Sequence, residues 1–305
     1  MTQKKTTAIY RRNLLHGLNQ TVDSEADASP YSYTEYDQKG NVLEQKLFGP
    51  DGKITEHFLD DYGMNGFLIR EKYTAGDDET TEEKSYERNE NGLILKEYKH
   101  YADGSVDTTT YRYDSQHRII SKITVNDEDE PEMKELFGYR GDFLAIHEVF
   151  DAEDNLLSSE EFSYDEHGNA ISRVRWDSES DETLHILITY TDAGRKKEES
   201  VFDEEDNLLE NNTFDEDGKG RLIRLVEQTQ GKNTTTHYEY DDQGNMVLQA
   251  MTNNAGDEVL KVVRCFNENN ELTYSEVFID GEGRMLSQHY EVELVYTYYR
   301  VNSVT

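Results

Sequence analysis

Cysteine is nearly absent from this sequence. Cys265 is the single one in 305 residues, so no intrachain disulfide framework can hold the fold together. Proline is also scarce, and no run of about 18 consecutive apolar residues predicts a transmembrane helix. The first twenty residues lack the apolar core of a secretory signal. These absences favour a cytoplasmic protein, or one exported by a route that leaves no ordinary signal.

The motifs of common enzyme and metal sites are missing as well. There is no Gly-x-Ser-x-Gly, no Walker loop and no dinucleotide fingerprint. The nine histidines form no His-x-x-x-His pair, and none adjoins the cysteine, which disfavours a transition-metal site. Acidic stretches such as 215–218 offer oxygen ligands but complete no EF-hand, so weak calcium binding stays open. We therefore expect a protein without catalytic residues, cofactor or dedicated metal site.

What the sequence does contain is an internal repeat. An aromatic residue returns every 24 to 27 positions and is followed by a turn residue and then an apolar residue. These anchors are Tyr36, Tyr62, Tyr86, Tyr113, Tyr139, Tyr164, Tyr190, Phe214, Tyr240 and Phe266. A second series lies about twelve residues later and also leads into acidic or glycine-bearing turns. Its members are Phe48, Tyr73, Tyr98, Phe150, Trp176, Phe202 and Phe278.

The segments between these turns have the pattern of β-strands. They are short and rich in β-branched and aromatic residues, and Leu184, Ile186, Ile188 and Tyr190 recur at every second position. Gly-Asn and Asp-Gly pairs supply the positive φ that tight turns need. Consecutive strands joined by short turns pair antiparallel. The sequence thus predicts an all-β protein of tandem antiparallel β-hairpin repeats, about ten units of 26 residues. They would form an extended, twisted or coiled meander sheet of about twenty strands.

The repeat motif resembles a known family. Tyr-x-Tyr-Asp-x-x-Gly-(Asn/Arg)-apolar, as in 111–119 and 238–246, is similar to the YD repeat of RHS and teneurin-type proteins. The resemblance covers roughly residues 31–290 and implies a long β-sheet that coils into a hollow shell around a toxin or other cargo. The 26-residue double unit is longer than the usual YD repeat. The Asp-Pro-x-Gly cleavage motif is absent, and no toxin domain is expected after the last repeat.

The two terminal segments differ from the repeats. We divide the chain into an N-terminal basic segment or cap (1–30), the repeat array (31–290) and a C-terminal strand or cap (291–305). Residues 1–20 contain four basic residues and no acidic one, and could form a short helix with one apolar face. The residues of that face are Ile9, Tyr10, Leu14, Leu15 and Leu18. This segment either covers the first strand edge or docks elsewhere. The strand 290–298 either caps the array or pairs with another copy of the chain.

The charge is strongly one-sided, with 31 Lys and Arg against 65 Asp and Glu and a net charge of −34 at pH 7. Such a field disfavours nucleic acid and anionic membranes as partners and favours a protein with a basic surface. It also keeps exposed sheet edges soluble. We expect the acidic tips of the hairpins to recur at one edge. The candidate partner-binding residues are Asp127, Glu128, Asp129, Asp203, Glu204, Glu205, Asp206, Asp215 and Asp217.

Three functions follow from these patterns. The first is a non-catalytic repeat scaffold that binds another protein through an acidic, tyrosine-rich sheet surface. The second, implied by the resemblance, is a shell that encloses a separately encoded polypeptide. The third is a carbohydrate-binding surface built on the exposed aromatics. Enclosure requires a sheet that closes on itself, whereas an open sheet favours the scaffold.

Overall fold

A computed structural model describes residues 3–14, 28–76, 80–281 and 287–299. They form 22 β-strands within one sheet. The strands are β1 Lys4–Asn13, β2 Ser29–Tyr36, β3 Val42–Phe48, β4 Ile54–Tyr62, β5 Leu68–Ala75, β6 Thr80–Arg88, β7 Ile94–His100, β8 Val106–Tyr113, β9 Ile119–Val125, β10 Pro131–Arg140, β11 Phe143–Phe150, β12 Leu156–Tyr164, β13 Ala170–Asp177, β14 Glu182–Tyr190, β15 Lys196–Phe202, β16 Leu208–Glu216, β17 Leu222–Thr229, β18 Lys232–Tyr240, β19 Met246–Thr252, β20 Glu258–Phe266, β21 Leu272–Ile279 and β22 Gln288–Tyr298.

The repeat predicts these strands well. Each anchor aromatic lies in the last three residues of an even-numbered strand, as Tyr164 does in β12 and Phe266 in β20. An odd-numbered strand begins after the turn that follows each anchor. Pairing is antiparallel throughout the recorded registers, and the register shifts by one residue beside many of the anchors, as between Ser163 and Tyr164. That shift is the bulge that a left-handed residue at the end of a type I turn produces.

The chain divides into two units, each described by itself: residues 1–82 with 235–305, and residues 83–234. In the first unit, β1 pairs with β2 on one side and with β22 on the other, from Lys4 opposite Tyr298 to Asn13 opposite Tyr290. The predicted antiparallel meander is confirmed, but its extended, open form is wrong, because the first and last strands pair with each other. The same pairing corrects the idea that the C-terminal strand offers an edge to another copy, because β22 has β21 and β1 as neighbours.

The N-terminal segment is a strand and not the predicted helix. Residues 4–13 are extended, and Thr6, Thr7 and Ile9 are β-branched, which favours a strand when neighbours are available to pair. Of the proposed helical face, Leu15 and Leu18 lie outside the described residues. The segment does cover the edge of β2, as one of the two interpretations of the sequence expects.

The apolar core is thin. Among the described residues, the buried apolar side chains are Ile186, Val259 and Val262, while Leu187 and Leu208 are nearly half exposed. Few other described residues are buried, and the strands contact their neighbours in the sheet, so side chains pack mainly between adjacent strands.

A row of tyrosine hydroxyls links successive hairpins in residues 83–234. Four of the anchor tyrosines each donate to a backbone carbonyl at the start of the preceding odd-numbered strand. The bonds are Tyr113 to Ile94 (2.7 Å), Tyr139 to Ile119 (2.8 Å), Tyr164 to Leu144 (2.8 Å) and Tyr190 to Ala170 (2.8 Å). We call these four bonds the tyrosine ladder. They mark one end of the strands, the tyrosine end. The opposite strand ends in this unit form the acidic end. They carry five turns that contain acidic residues, 101–105, 126–130, 151–155, 178–181 and 203–207, and the short turn 230–231, which contains none.

Candidate functional site

The turn 165–169 shows how the repeat motif fixes an acidic side chain. Asp165 Oδ1 accepts hydrogen bonds from the backbone N–H groups of His167 and Asn169, both at 2.9 Å. Its Oδ2 accepts a bond from the side-chain amide of Asn169 at 2.9 Å. Gly168, with φ of 84°, closes the turn in a conformation that glycine adopts without strain. The motif therefore encodes the turn, with the aspartate as its organiser.

The first and fifth residues of these turns are chemically matched. Where the first is Asp, the fifth is a donor, as in Asp151–Asn155 and Asp217–Arg221. Where the first is Asn, the fifth can be an acid, as in Asn267–Glu271. The further pairs are Asp37–Asn41, Asp114–Arg118, Asp203–Asn207, Asp241–Asn245, Asn126–Glu130 and Asn253–Asp257. Our sequence analysis missed this pairing, although the complementary residue types four positions apart were its signal.

Hydrogen bonding keeps the organising carboxylates ionised. The side-chain amide of Asn207, followed by its backbone N–H, lowers the pKa of Asp203 below its usual value. The backbone N–H of Arg221 is the largest cause at Asp217, whose pKa falls to about 2. These donors favour the charged form, so the turns display fixed negative charges at any physiological pH.

The candidate residues do not all lie at one edge. Residues 127–129 are in the turn between β9 and β10, and residues 203–206 are in the turn between β15 and β16. Asp215 is the second-last residue of β16, and Asp217 begins the next turn. Because successive turns lie at alternate ends of the strands, the first two groups belong to the acidic end, whereas Asp215 and Asp217 lie at the tyrosine end. The expectation that the tips share one edge is corrected for these two.

The two ends also differ in charge compensation. Asp215 pairs with Arg224 at 3.2 Å, and Asp217 pairs with Arg221 at 2.6 Å. At the acidic end none of the five turns contains Lys or Arg, although Lys134 reaches Asp154 from β10. Within the described part of the chain, Glu204 and Asp206 have no cationic group within ion-pair distance. The acidic end therefore retains negative charge that the hairpins do not neutralise.

A cavity of about 360 Å³ lies between the turns 178–181 and 203–207. Two leucines contribute apolar surface to it, and its charged lining is entirely acidic. The lining residues are Asp181, Glu182, Thr183, Leu184, Asp203, Glu204, Glu205 and Leu209. An apolar surface surrounded by carboxylates suits the aliphatic stem and charged head of a lysine or arginine side chain.

Two further findings concern ligands and membranes. In the described ranges, no group of three or more His, Cys, Asp or Glu side chains is arranged to hold a metal ion. Those ranges also contain no helix long and apolar enough to span a membrane.

Comparison with known families identifies the repeat. Residues 217–258 match the RHS repeat. The chain is thus similar to RHS/YD-repeat proteins. This match includes Tyr240-Asp241 with Gly244-Asn245, so the resemblance drawn from the tyrosine–aspartate motif is confirmed. Comparison with curated proteins returns no match.

Solved structures give distant likenesses. The Tc holotoxin pore of Photorhabdus luminescens, carrying the mutation TccC3-D651A, matches with 10% identity and a TM-score of 0.42, over 93% of this chain and 17% of that one. The TcdB2-TccC3 structure matches with 13% identity and a TM-score of 0.36, over 97% and 19%. A porin-like protein from Bacteroides uniformis matches with 11% identity and a TM-score of 0.31, over 97% and 98%. This chain thus spans less than a fifth of the toxin chains, and at these scores we transfer neither activity nor assembly.

Proposed function

We propose that this chain is a non-catalytic RHS-like scaffold that binds a protein with a basic surface at the acidic end of residues 83–234. The cavity between the turns 178–181 and 203–207 carries the proposal, because its carboxylates lack a basic residue in the lining. Asp203 is held by three hydrogen bonds within its turn, so little conformational entropy is lost at this carboxylate when a partner binds.

The spacing of the turns suggests the form of the partner. Turns at the same end are two strands apart, or about 10 Å at a strand separation of about 4.8 Å. A peptide in the polyproline II conformation covers that distance in about three residues, at about 3.1 Å per residue, and about three residues also complete one turn of that conformation. Lys or Arg at every third position therefore points to the same side of the peptide and meets successive acidic turns, and the weak contacts add.

The test uses a peptide of repeated Lys-Gly-Gly and two triple variants that remove the same number of charges. Glu182→Gln, Glu204→Gln and Glu205→Gln remove three of the five carboxylates that line the cavity. The control removes three exposed turn acids elsewhere: Glu90→Gln, Asp242→Asn and Glu268→Gln. We expect calorimetry at 50 mM salt to show at least tenfold weaker binding for the first variant and less than threefold for the control. Binding to the unaltered protein should weaken steeply by 300 mM salt, because exposed charges are screened. Equal losses in the two variants would rule out the cavity as the site.

A second candidate function is the enclosure of a separately encoded polypeptide. The pairing of β1 with β22 favours it, because enclosure requires the end strands of the sheet to meet. Salt distinguishes the two functions: a partner held at the acidic surface dissociates from the purified complex at 1 M salt, whereas an enclosed one stays. Retention at 1 M salt together with resistance to added protease would support enclosure and exclude the acidic-surface scaffold.

A further inference from the structure

Successive turns at the tyrosine end are separated by gaps, and one side-chain position controls each gap. This position immediately precedes the residue whose carbonyl accepts the tyrosine hydroxyl of the ladder. Leu93 occupies it at the first ladder bond, and Arg118, Phe143 and Asn169 occupy it at the next three. Arg195 holds the same place before β15, where Phe214 replaces the ladder tyrosine. We call Arg118, Phe143, Asn169 and Arg195 the gap residues.

Arg118 fills the gap between the turn 114–118 and the Gly141 turn. Its guanidinium lies over the ring of Tyr139, 4.1 Å from the centroid, and donates to the carbonyl of Gly141 at 2.6 Å. It is anchored by Asp114, whose Oδ2 accepts from Nε at 2.7 Å. The gap thus accommodates a planar cation between an aromatic ring and an acidic turn.

The gap before the turn 165–169 and the gap after the turn 191–195 are also filled. The ring of Phe143 stacks on Tyr164 with centroids 4.8 Å apart and covers Gly168, where an added methyl group would meet it at 2.6 Å. Arg195 lies over Gly220, where an added methyl group would meet its guanidinium at 1.9 Å, and pairs with Glu216 at 2.7 Å. The repeat therefore fills these gaps with arginine or an aromatic ring from its own chain.

The gap between the turns 165–169 and 191–195 is empty. Its gap residue, Asn169, is short and is turned back onto Asp165. No atom lies within 4 Å of the position that a methyl group at Gly194 would take. A cavity of about 660 Å³ results, lined by Ile171, Ile188 and Tyr190 with Asp165 and Asp192 among the charged residues. Arg195 is committed to Glu216, and Asp192 forms no ion pair in the described ranges.

We propose that this empty gap is a docking pocket for an arginine side chain of a partner protein. It offers a tyrosine ring, apolar walls and an unpaired carboxylate, the same chemistry that Arg118 meets in its own gap. Asp165 and Asp192 favour a guanidinium over a neutral ring such as the one that Phe143 places in the preceding gap. The inference does not rest on the acidic-end site, because this pocket lies at the opposite ends of the strands.

The experiment titrates the full chain, labelled at isoleucine methyl groups, with N-acetyl-arginine amide and separately with the lysine and phenylalanine analogues. We expect the arginine probe to shift the Ile171 and Ile188 signals in a saturable way, at least fivefold more tightly than either analogue. Asn169→Arg should abolish these shifts, because the new side chain can fold onto Asp165 and Tyr190 as Arg118 does on Asp114 and Tyr139. Asn155→Arg adds the same charge at the matching turn position of the acidic end, and should leave binding unchanged.

Other outcomes overturn the pocket. Equal or tighter binding of the lysine or phenylalanine probe, absence of saturable shifts at Ile171 and Ile188, or unchanged binding in Asn169→Arg would each contradict it. If Asn169→Arg does not fold, Asp192→Asn replaces it; this exposed turn substitution should weaken arginine binding at least threefold, and an unchanged affinity would count against the proposal. The acidic-end variants should bind the arginine probe normally, so failure of one site is distinguishable from failure of the other.

Discussion

The two ends of the strands in residues 83–234 use the same turn and put it to different uses. The turns 151–155 and 165–169 share every organising bond: Asp to two backbone N–H groups and Asp to the fifth-residue amide. At the tyrosine end, ring stacking, arginine pairs and hydroxyl–carbonyl bonds connect one turn to the next. At the acidic end, the charged side chains are left to solvent. The turn motif therefore determines the backbone, while the residues around it decide whether a turn is packed or displayed.

Two glycine substitutions should give the largest difference between the filled gap at Gly168 and the empty gap at Gly194. Gly168 and Gly194 have φ of 84° and 72°, so alanine costs about 1–2 kcal/mol at either site. At Gly168 the new methyl group also meets the Phe143 ring, which adds about 1–3 kcal/mol of overpacking. Urea denaturation should show a clearly larger loss of unfolding free energy for Gly168→Ala. Equal losses would mean that the Phe143 ring moves away without cost.

Removing one hydroxyl from the tyrosine ladder should have the next largest effect. Tyr164→Phe keeps the ring stacked on Phe143 but leaves the Leu144 carbonyl without this donor. We expect a loss of about 0.5–1.5 kcal/mol in unfolding free energy. The converse change, Phe214→Tyr, supplies the missing ladder hydroxyl, whose acceptor would be the carbonyl of Lys196 at the start of β15. It should not lower the unfolding free energy. A loss in Phe214→Tyr as large as that in Tyr164→Phe would break the ladder interpretation.

Acid should weaken the paired turns through their organising aspartates. The folded pKa of Asp217, about 2, lies below its ordinary value of 3.8, so its contribution to stability is present above pH 4. It is lost as the pH falls from about 4 to about 2, because the unfolded chain then binds the proton more readily. Thermal melts of the natural protein and Asp217→Asn should therefore converge over this range. A difference that persists at pH 2 would show that the effect is not ionic.

The smallest effect tests the match between first and fifth turn residues at the acidic end. Asp203→Asn places two amides together, and Asn207→Asp places two carboxylates together, so each should lower the melting temperature. The double exchange recreates the Asn253–Asp257 arrangement already present in the chain. It should recover most of the loss, measured as a thermodynamic cycle. Additive losses in the double variant would show that the two side chains act independently.

Much of the fold was predictable because its signals are local. An aromatic residue, an aspartate and a glycine within five positions specify a strand end and a turn, as at Tyr164, Asp165 and Gly168. The position of Asp215 and Asp217 could have been predicted too, since consecutive turns must lie at opposite ends. The strand at residues 4–13 could not, because its conformation depends on pairing with β2 and with residues almost 300 positions away.

The candidate sites were predictable only in part. Acidic composition marked residues 203–206, and Asp203, Glu204 and Glu205 do line a cavity. The empty gap beside Asn169 has no such signal by itself: an asparagine there is also the ordinary fifth residue of the turn. The gap is recognised only by comparing Asn169 with Arg118, Phe143 and Arg195, whose side chains reach the next turn in space.

The pairing of β1 with β22 sets the order in which this protein can be completed during synthesis. β1 emerges from the ribosome early and finds β2, yet its other edge must wait until β22 has been made. Hairpins close quickly, whereas a contact between such distant segments carries the full entropy of loop closure. Throughout that delay, Lys4, Lys5, Arg11 and Arg12 give the waiting edge a positive charge, which deters it from pairing with the same strand of another nascent copy. The basic residues of an otherwise acidic chain thus protect it at the time when its last hydrogen bonds are still missing.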